Sequence, residues 1–147
     1  MDLQVDDFYR DAAAGLLTLY QAFPRRITLY VEDLIGHEEP DEFGLPSKRH
    51  QSCLAALLWL ADEDYLRFDS TIQFQAIDQA VLTEKAFLRL TGTFFDNTDG
   101  AESLPPSVRR VQSSLAFGLR QALRDGDGER LAGLARQLFA GGLCGKA

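Results

Sequence analysis

The chain has 147 residues, 46% of them apolar and 25% charged, which suits a folded domain able to bury a core without metal or disulfide staples. Its two cysteines, Cys53 and Cys144, exclude a disulfide framework and no apolar run approaches the ~20 residues that span a bilayer, so a reducing cytoplasm is expected, with no membrane contact, cofactor or metal. The net charge of −7 is uneven: residues 1–102 hold 8 Lys/Arg against 19 Asp/Glu and residues 103–147 hold 7 against 3, so the basic tail is expected to pack on the acidic body, a second copy or an acidic partner.

Met1 to Asp7 has neither the basic start nor the apolar core of a signal peptide, and no leader is expected. From Asp6 to Ala22, Phe8, Ala12, Leu16, Leu19 and Phe23 recur near helical spacing, with Asp6 and Asp7 at the positive end of the helix dipole and Pro24 ending the run. Ile27, Leu29 and Val31 alternate with Thr28 and Tyr30, which predicts a short strand. Glu32 to Ile35 reads as one helical turn closed by Gly36. His37 to Pro46 is a loop with two prolines, a glycine and four carboxylates. Ser47 caps a helix whose apolar stripe is Cys53, Leu54, Leu57, Leu58 and Ala61, while Lys48, Arg49, Gln51, Ser52 and Ala55 face elsewhere. Tyr65–Phe68 and Ile72–Ala76 predict two strands joined at Asp69-Ser70-Thr71, and Thr83 caps a helix running through Leu90.

A polar loop from Thr91 to Leu104 leads into Pro105-Pro106. Val108, Val111, Leu115, Leu119 and Ala122 then mark one amphipathic helix, and Leu131, Leu134, Ala135, Leu138 and Phe139 a second. Asp125-Gly126-Asp127-Gly128 between them predicts an antiparallel hairpin, ended by Gly141-Gly142.

The order helix, strand, short helix, helix, strand, turn, strand, helix resembles the winged helix-turn-helix superfamily, including small bacterial regulators of the MarR and PadR type. Two blocks carry the resemblance, which covers about residues 6–90. Leu57-Leu58-Trp59-Leu60-Ala61-Asp62-Glu63-Asp64-Tyr65-Leu66 looks like the end of a recognition helix running into the wing. Ala80-Val81-Leu82-Thr83-Glu84-Lys85 looks like the return after it. The resemblance implies an α+β fold: a winged-helix domain over residues 1–90, a polar loop over 91–104, and a C-terminal antiparallel helical hairpin over 105–142, packed on that domain or on a partner. In DNA-binding members the recognition helix enters the major groove. Here that implies base contacts from Lys48, Arg49, Gln51 and Ser52, beside Ser47 and His50, and phosphate contacts from Arg25, Arg26 and Arg67.

The surrounding charge argues the other way. The expected wing tip, Asp69-Ser70-Thr71-Ile72-Gln73, has no Lys or Arg, and Glu38, Glu39, Asp41 and Glu42 precede the reading helix, where carboxylates oppose a polyanion. No catalytic constellation stands out: there is no phosphate-binding glycine loop, Cys53 lies on an apolar stripe, and neither histidine has a recognisable nucleophile. Solvated loop carboxylates are expected rather than a metal site at His37, Glu38, Asp41 and His50. Trp59, Tyr65, Phe68 and Phe74 read as core between helix and wing. The expectation is a non-enzymatic winged-helix adaptor or subunit. It would self-associate, or dock on a protein partner, through Val111, Leu115, Leu119, Leu131, Leu134, Leu138 and Phe139. The alternative is a dimeric DNA-binding regulator reading with the helix that starts at Ser47.

Overall fold

A computed structural model describes residues 3–92 and 114–144, with side chains through Gly141. In chain order the elements are α1 (Leu3–Ala22), β1 (Ile27–Tyr30), α2 (Val31–Ile35), α3 (Lys48–Asp62), β2 (Leu66–Arg67), β3 (Ser70–Ile72), β4 (Ala76–Leu82), α4 (Glu84–Thr91), α5 (Leu115–Asp125) and α6 (Gly128–Cys144). The described residues thus make a mixed α+β fold of six helices and a four-stranded antiparallel sheet. None of these helices is long and apolar enough to cross a membrane.

α1 is the hub, packing against α3, α5, α6 and the sheet. Its buried set, which includes Ala12, Ala13, Leu16, Leu17 and Leu19, is wider than the single stripe that helical spacing picks out, because partners lie on more than one side. Small residues bring α3 close: a Cβ added at Gly15 would stand 2.8 Å from Leu57 Cδ2. α3 buries His50, Cys53, Leu54, Ala56, Leu57 and Leu60, a set that starts a turn earlier than the apolar residues alone suggest.

β4 is the central strand, with β1 on one edge and β2 and β3 following one another along the other. Ile27 pairs with Ala80 but Leu29 with Ile77, so β4 carries one extra residue, and Gln79 takes φ 56 at that bulge. The bulge brings Ile77 and Ala80, three positions apart, into the same core, and both are 0% exposed. It also hides the alternation over 76–82, so the second strand starts at Ala76 and runs to Leu82, where the sequence predicts one over Ile72–Ala76. The hairpin turn is Gln73-Phe74-Gln75, not Asp69-Ser70-Thr71. The Asp69 N–H donates to Asp78 O at 2.9 Å and holds that segment in the ladder, and Gln73 absorbs the reversal at φ 49.

The C-terminal helices complete the core. Leu115, Leu119, Leu131, Leu134 and Leu138 are 4, 0, 4, 3 and 1% exposed, so they cover α1 and α4 of the same chain and do not form an open partner face. Each such leucine, left in water, would forgo about 1.5–3 kcal/mol, which is why the chain closes on itself. Phe139 is half-buried against Phe8, Trp59 and Tyr65. Val108 and Val111 lie outside the described residues. Ser114 caps α5, and the Leu115 N–H donates to Gly92 O at 2.8 Å, joining the start of α5 to the end of α4.

α6 continues through Gly141 and Gly142 instead of ending there. Arg89 explains the first glycine: its Nη1 donates to Tyr65 Oη at 3.1 Å and to the carbonyls of Leu138 and Phe139 at 3.0 and 3.4 Å. A Cβ at Gly141 would stand 3.1 Å from the Arg89 Cδ and Nε atoms.

Candidate partner-binding surface

The candidate reading helix begins where Ser47 Oγ accepts the His50 N–H at 3.0 Å, an N-cap that satisfies one orphan donor of the first turn. Of the polar residues in that turn, Lys48 is free on the surface. Arg49 is not. Its guanidinium donates to both oxygens of Asp11 at 2.7 and 2.6 Å, and its Nε lies 4.0 Å from Asp7, one turn back on α1. Asp11 is 2% exposed, so this is a buried fork between two helices, and the Asp11 hydrogen bonds push the Arg49 pKa upward. An arginine so held does not reach a base edge. Gln51 Nε2 donates back to Pro46 O at 2.8 Å, and Ser52 stays exposed.

Asp11 is the residue that sequence reasoning missed. Its signal was a lone carboxylate opening the apolar run Asp11-Ala12-Ala13-Ala14, four residues after Asp7 and so on the same helix face. One turn further along α3, Cys53 is fully buried, and burial, reinforced by the Asp11 charge, pushes its thiol up to about 12.

The sheet separates the remaining cations. Arg67 pairs with Val81, and Arg25 and Arg26 precede Ile27, which pairs with Ala80; all three are exposed at one end of β4. Lys48 belongs to the other end, because its neighbour His50 is hydrogen-bonded through Nε2 to the Phe74 carbonyl at the hairpin turn. Ala76 and Val81, which mark these two ends of β4, lie five residues apart, a rise of roughly 17 Å along a strand. The acidic loop occupies the Lys48 end: Glu38 accepts from the Ser47 hydroxyl at 3.0 Å, on the cap itself. Of the five candidate cations, the structure holds Arg49 in the Asp11 fork, places Arg25, Arg26 and Arg67 by the Ala80–Val81 end of β4, and leaves Lys48 exposed two residues from His50, which meets the hairpin turn.

The outward face of α3 is apolar instead. Ser52, Ala55, Ala56 and Trp59 line, with Phe8 of α1, a shallow groove of about 470 Å³. Trp59 is 40% exposed and meets Phe8 and Phe139 edge-on, with ring centroids at 5.2 and 5.6 Å, and it stacks on buried Tyr65. Trp59 and Phe74 are thus surface residues, and only Tyr65 of the expected aromatic core is fully enclosed.

A second depression, of about 220 Å³, lies between the acidic loop and the hairpin turn; Glu32, His37, Glu38, Gly44, His50 and Phe74 border it. The loop is built, not slack: Asp41 accepts the N–H groups of Phe43 and Leu45 at 2.9 and 2.8 Å, and Gly44 turns at φ 78. His37 bridges Glu32 and Glu39 at 2.9 and 3.2 Å, and the hydrogen bond to Glu32, then that to Glu39, raises its pKa. Among the described residues no three His, Cys, Asp or Glu side chains converge to hold a metal ion. Comparison with protein-family models, with curated proteins and with solved structures gives no match.

Proposed function

We propose that this chain is a non-enzymatic protein-interaction subunit built on a winged helix-turn-helix scaffold, docking its partner on the outward face of α3. The element order and the strand order β1-β4-β2, with a hairpin next to α3, support the scaffold. One observation carries the function: the cations a nucleic-acid reader needs are dispersed or neutralised. Arg49 is locked to Asp11, and Lys48 lies toward the hairpin-turn end of the sheet while Arg25, Arg26 and Arg67 lie by the Ala80–Val81 end. Phosphate neutralisation supplies most of the affinity in duplex binding, so this distribution weakens it. The face presented instead, small residues beside a half-exposed tryptophan, has the composition of an interface centre. Because the leucines of α5 and α6 are used inside the chain, partner capture falls to α3.

A photo-crosslinking residue at Ser52, compared with one at Thr18, another exposed helical position, tests this in the native cell. The Ser52 probe is expected to give a discrete protein adduct and the Thr18 probe none. Mixed duplexes at low salt are expected to show no saturable binding. Duplex binding that falls steeply with salt and disappears in Lys48→Ala would overturn the reading, as would identical adduct patterns from the two probes.

A further inference from the structure

Nine large apolar side chains are well exposed among the described residues, and five of them gather around the hairpin turn and the loop facing it: Tyr30 at 41%, Phe43 at 80%, Leu45 at 53%, Ile72 at 36% and Phe74 at 59%. Tyr30 and Ile72 flank Ala76 in one register row across three strands. Phe74 occupies the turn and lines the depression, and Phe43 and Leu45 are the chain neighbours of Gly44, which lines it too. Leaving these side chains in water is unfavourable, and hydrogen bonds fix the loop that carries two of them.

Carboxylates outnumber cations around this patch, where Lys48 and the Glu32- and Glu39-bound His37 are the positive groups. Between Arg26 and Lys48 the chain has Glu32, Asp33, Glu38, Glu39, Asp41 and Glu42 and no Lys or Arg; between Arg67 and Lys85 it has Asp69, Asp78 and Glu84 and again none. At about 220 Å³ the depression is below the ~300 Å³ at which pockets begin to take a whole small molecule, and it suits a single long side chain. Its border pairs carboxylates with an aromatic ring, the surroundings that hold a guanidinium or ammonium head by charge-assisted hydrogen bonds and its stem by apolar contact.

We propose that this acid-rimmed apolar patch, centred on Phe74 and the depression beneath it, docks a basic amphipathic segment of a partner protein, with one Arg or Lys entering between Glu32 and Glu38. The proposal rests on the reading of the chain as an interaction subunit and assigns it a second contact surface, separate from the α3 groove, with the chemistry of the segment that would fill it. Apolar area supplies the affinity and the carboxylates select the sign. Of the features on this surface, the patch and the depression make the site; the carboxylates only decide what fills it.

The test is fluorescence anisotropy of a labelled Lys/Leu amphipathic peptide against the full chain, with Glu/Leu and Lys/Ser peptides as controls. The Lys/Leu peptide is expected to bind and both controls to fail. Phe74→Ser and, separately, Phe43→Ser should weaken binding about tenfold or more, with the circular dichroism spectrum unchanged. Glu32→Gln combined with Glu42→Gln should weaken it about fivefold, and added salt should do the same. Absent Lys/Leu binding, equal binding of the Glu/Leu peptide, or an unaffected Phe74→Ser variant would overturn the proposal. So would a dimer that Phe74→Ser dissolves, which makes a second copy the occupant. These outcomes leave the Ser52 crosslinking result intact, so failure here is separable from failure of the interaction-subunit reading.

Discussion

Replacing Arg49 with methionine separates the structural role of this side chain from a nucleic-acid role. Arg49 is 26% exposed and its partner Asp11 only 2%, so Arg49→Met removes two charge-assisted hydrogen bonds and strands a carboxylate inside the protein. Breaking a buried pair this way costs about 3–5 kcal/mol. Water entering beside the partly open Arg49 site offsets some of that, and ~2–4 kcal/mol is expected. Domains of this size have about 5–15 kcal/mol in total, so the loss is large, and Tm should fall on the order of 10 °C. Urea melts followed by far-ultraviolet circular dichroism measure it. Adding Asp11→Leu to Arg49→Met should restore most of the stability, because a matched apolar pair replaces a buried ion pair with little net cost. If Arg49→Met melts within ~0.5 kcal/mol of the parent, the fork is not holding α3 to α1 and the withdrawal of Arg49 from the surface is refuted.

Leu138→Ala, at a 1% exposed position, should cost about 2–5 kcal/mol, and Leu134→Asp with Leu138→Asp should unfold the chain rather than merely disperse an oligomer; thermal melts distinguish the two. Gly15→Ala should destabilise by about 1 kcal/mol despite better helix propensity, since the new methyl meets Leu57 at 2.8 Å; chemical denaturation reads the sign. Cys53, pushed up to about 12, should resist iodoacetamide in the native chain at neutral pH and react in urea, as peptide mass spectrometry of that site would show. His37 should titrate above its ordinary 6.5 in an NMR pH series, and Glu32→Gln should bring it back down. Because its folded pKa is the raised one, its stabilising contribution is complete below about 6.5 and fades as pH climbs through the folded value.

What the sequence showed depended on range. Ser47, Thr83 and Gly36 act through neighbours three or four residues away, and each sits where its type demands: two N-caps and a helix stop at φ 86. The helical and strand segments that make up the mixed α+β class follow from periodicity in the same way. The Arg49–Asp11 fork is not legible locally because the partner lies 38 residues upstream, and a polar first turn looks alike whether it meets water, phosphate or Asp11. Whether the α5 and α6 leucines cover this chain or a partner is not decided by spacing, because nothing local reveals that α1 buries more than one side. The hairpin turn was misplaced because Gln73, with no turn preference, carries the positive φ. As for the proposed docking patch, the carboxylates are visible in the sequence, but the alignment of Tyr30 and Ile72 on either side of Ala76 depends on strand register.

Trp59 is the chain's single tryptophan, with one edge in the Phe8, Tyr65 and Phe139 ring cluster and the other open on the groove. Its emission is therefore an intrinsic optical sensor needing no dye. A ligand covering the groove should shift the indole spectrum to the blue, whereas separation of α6 from α3 should shift it to the red, so one cuvette can tell occupancy from loosening.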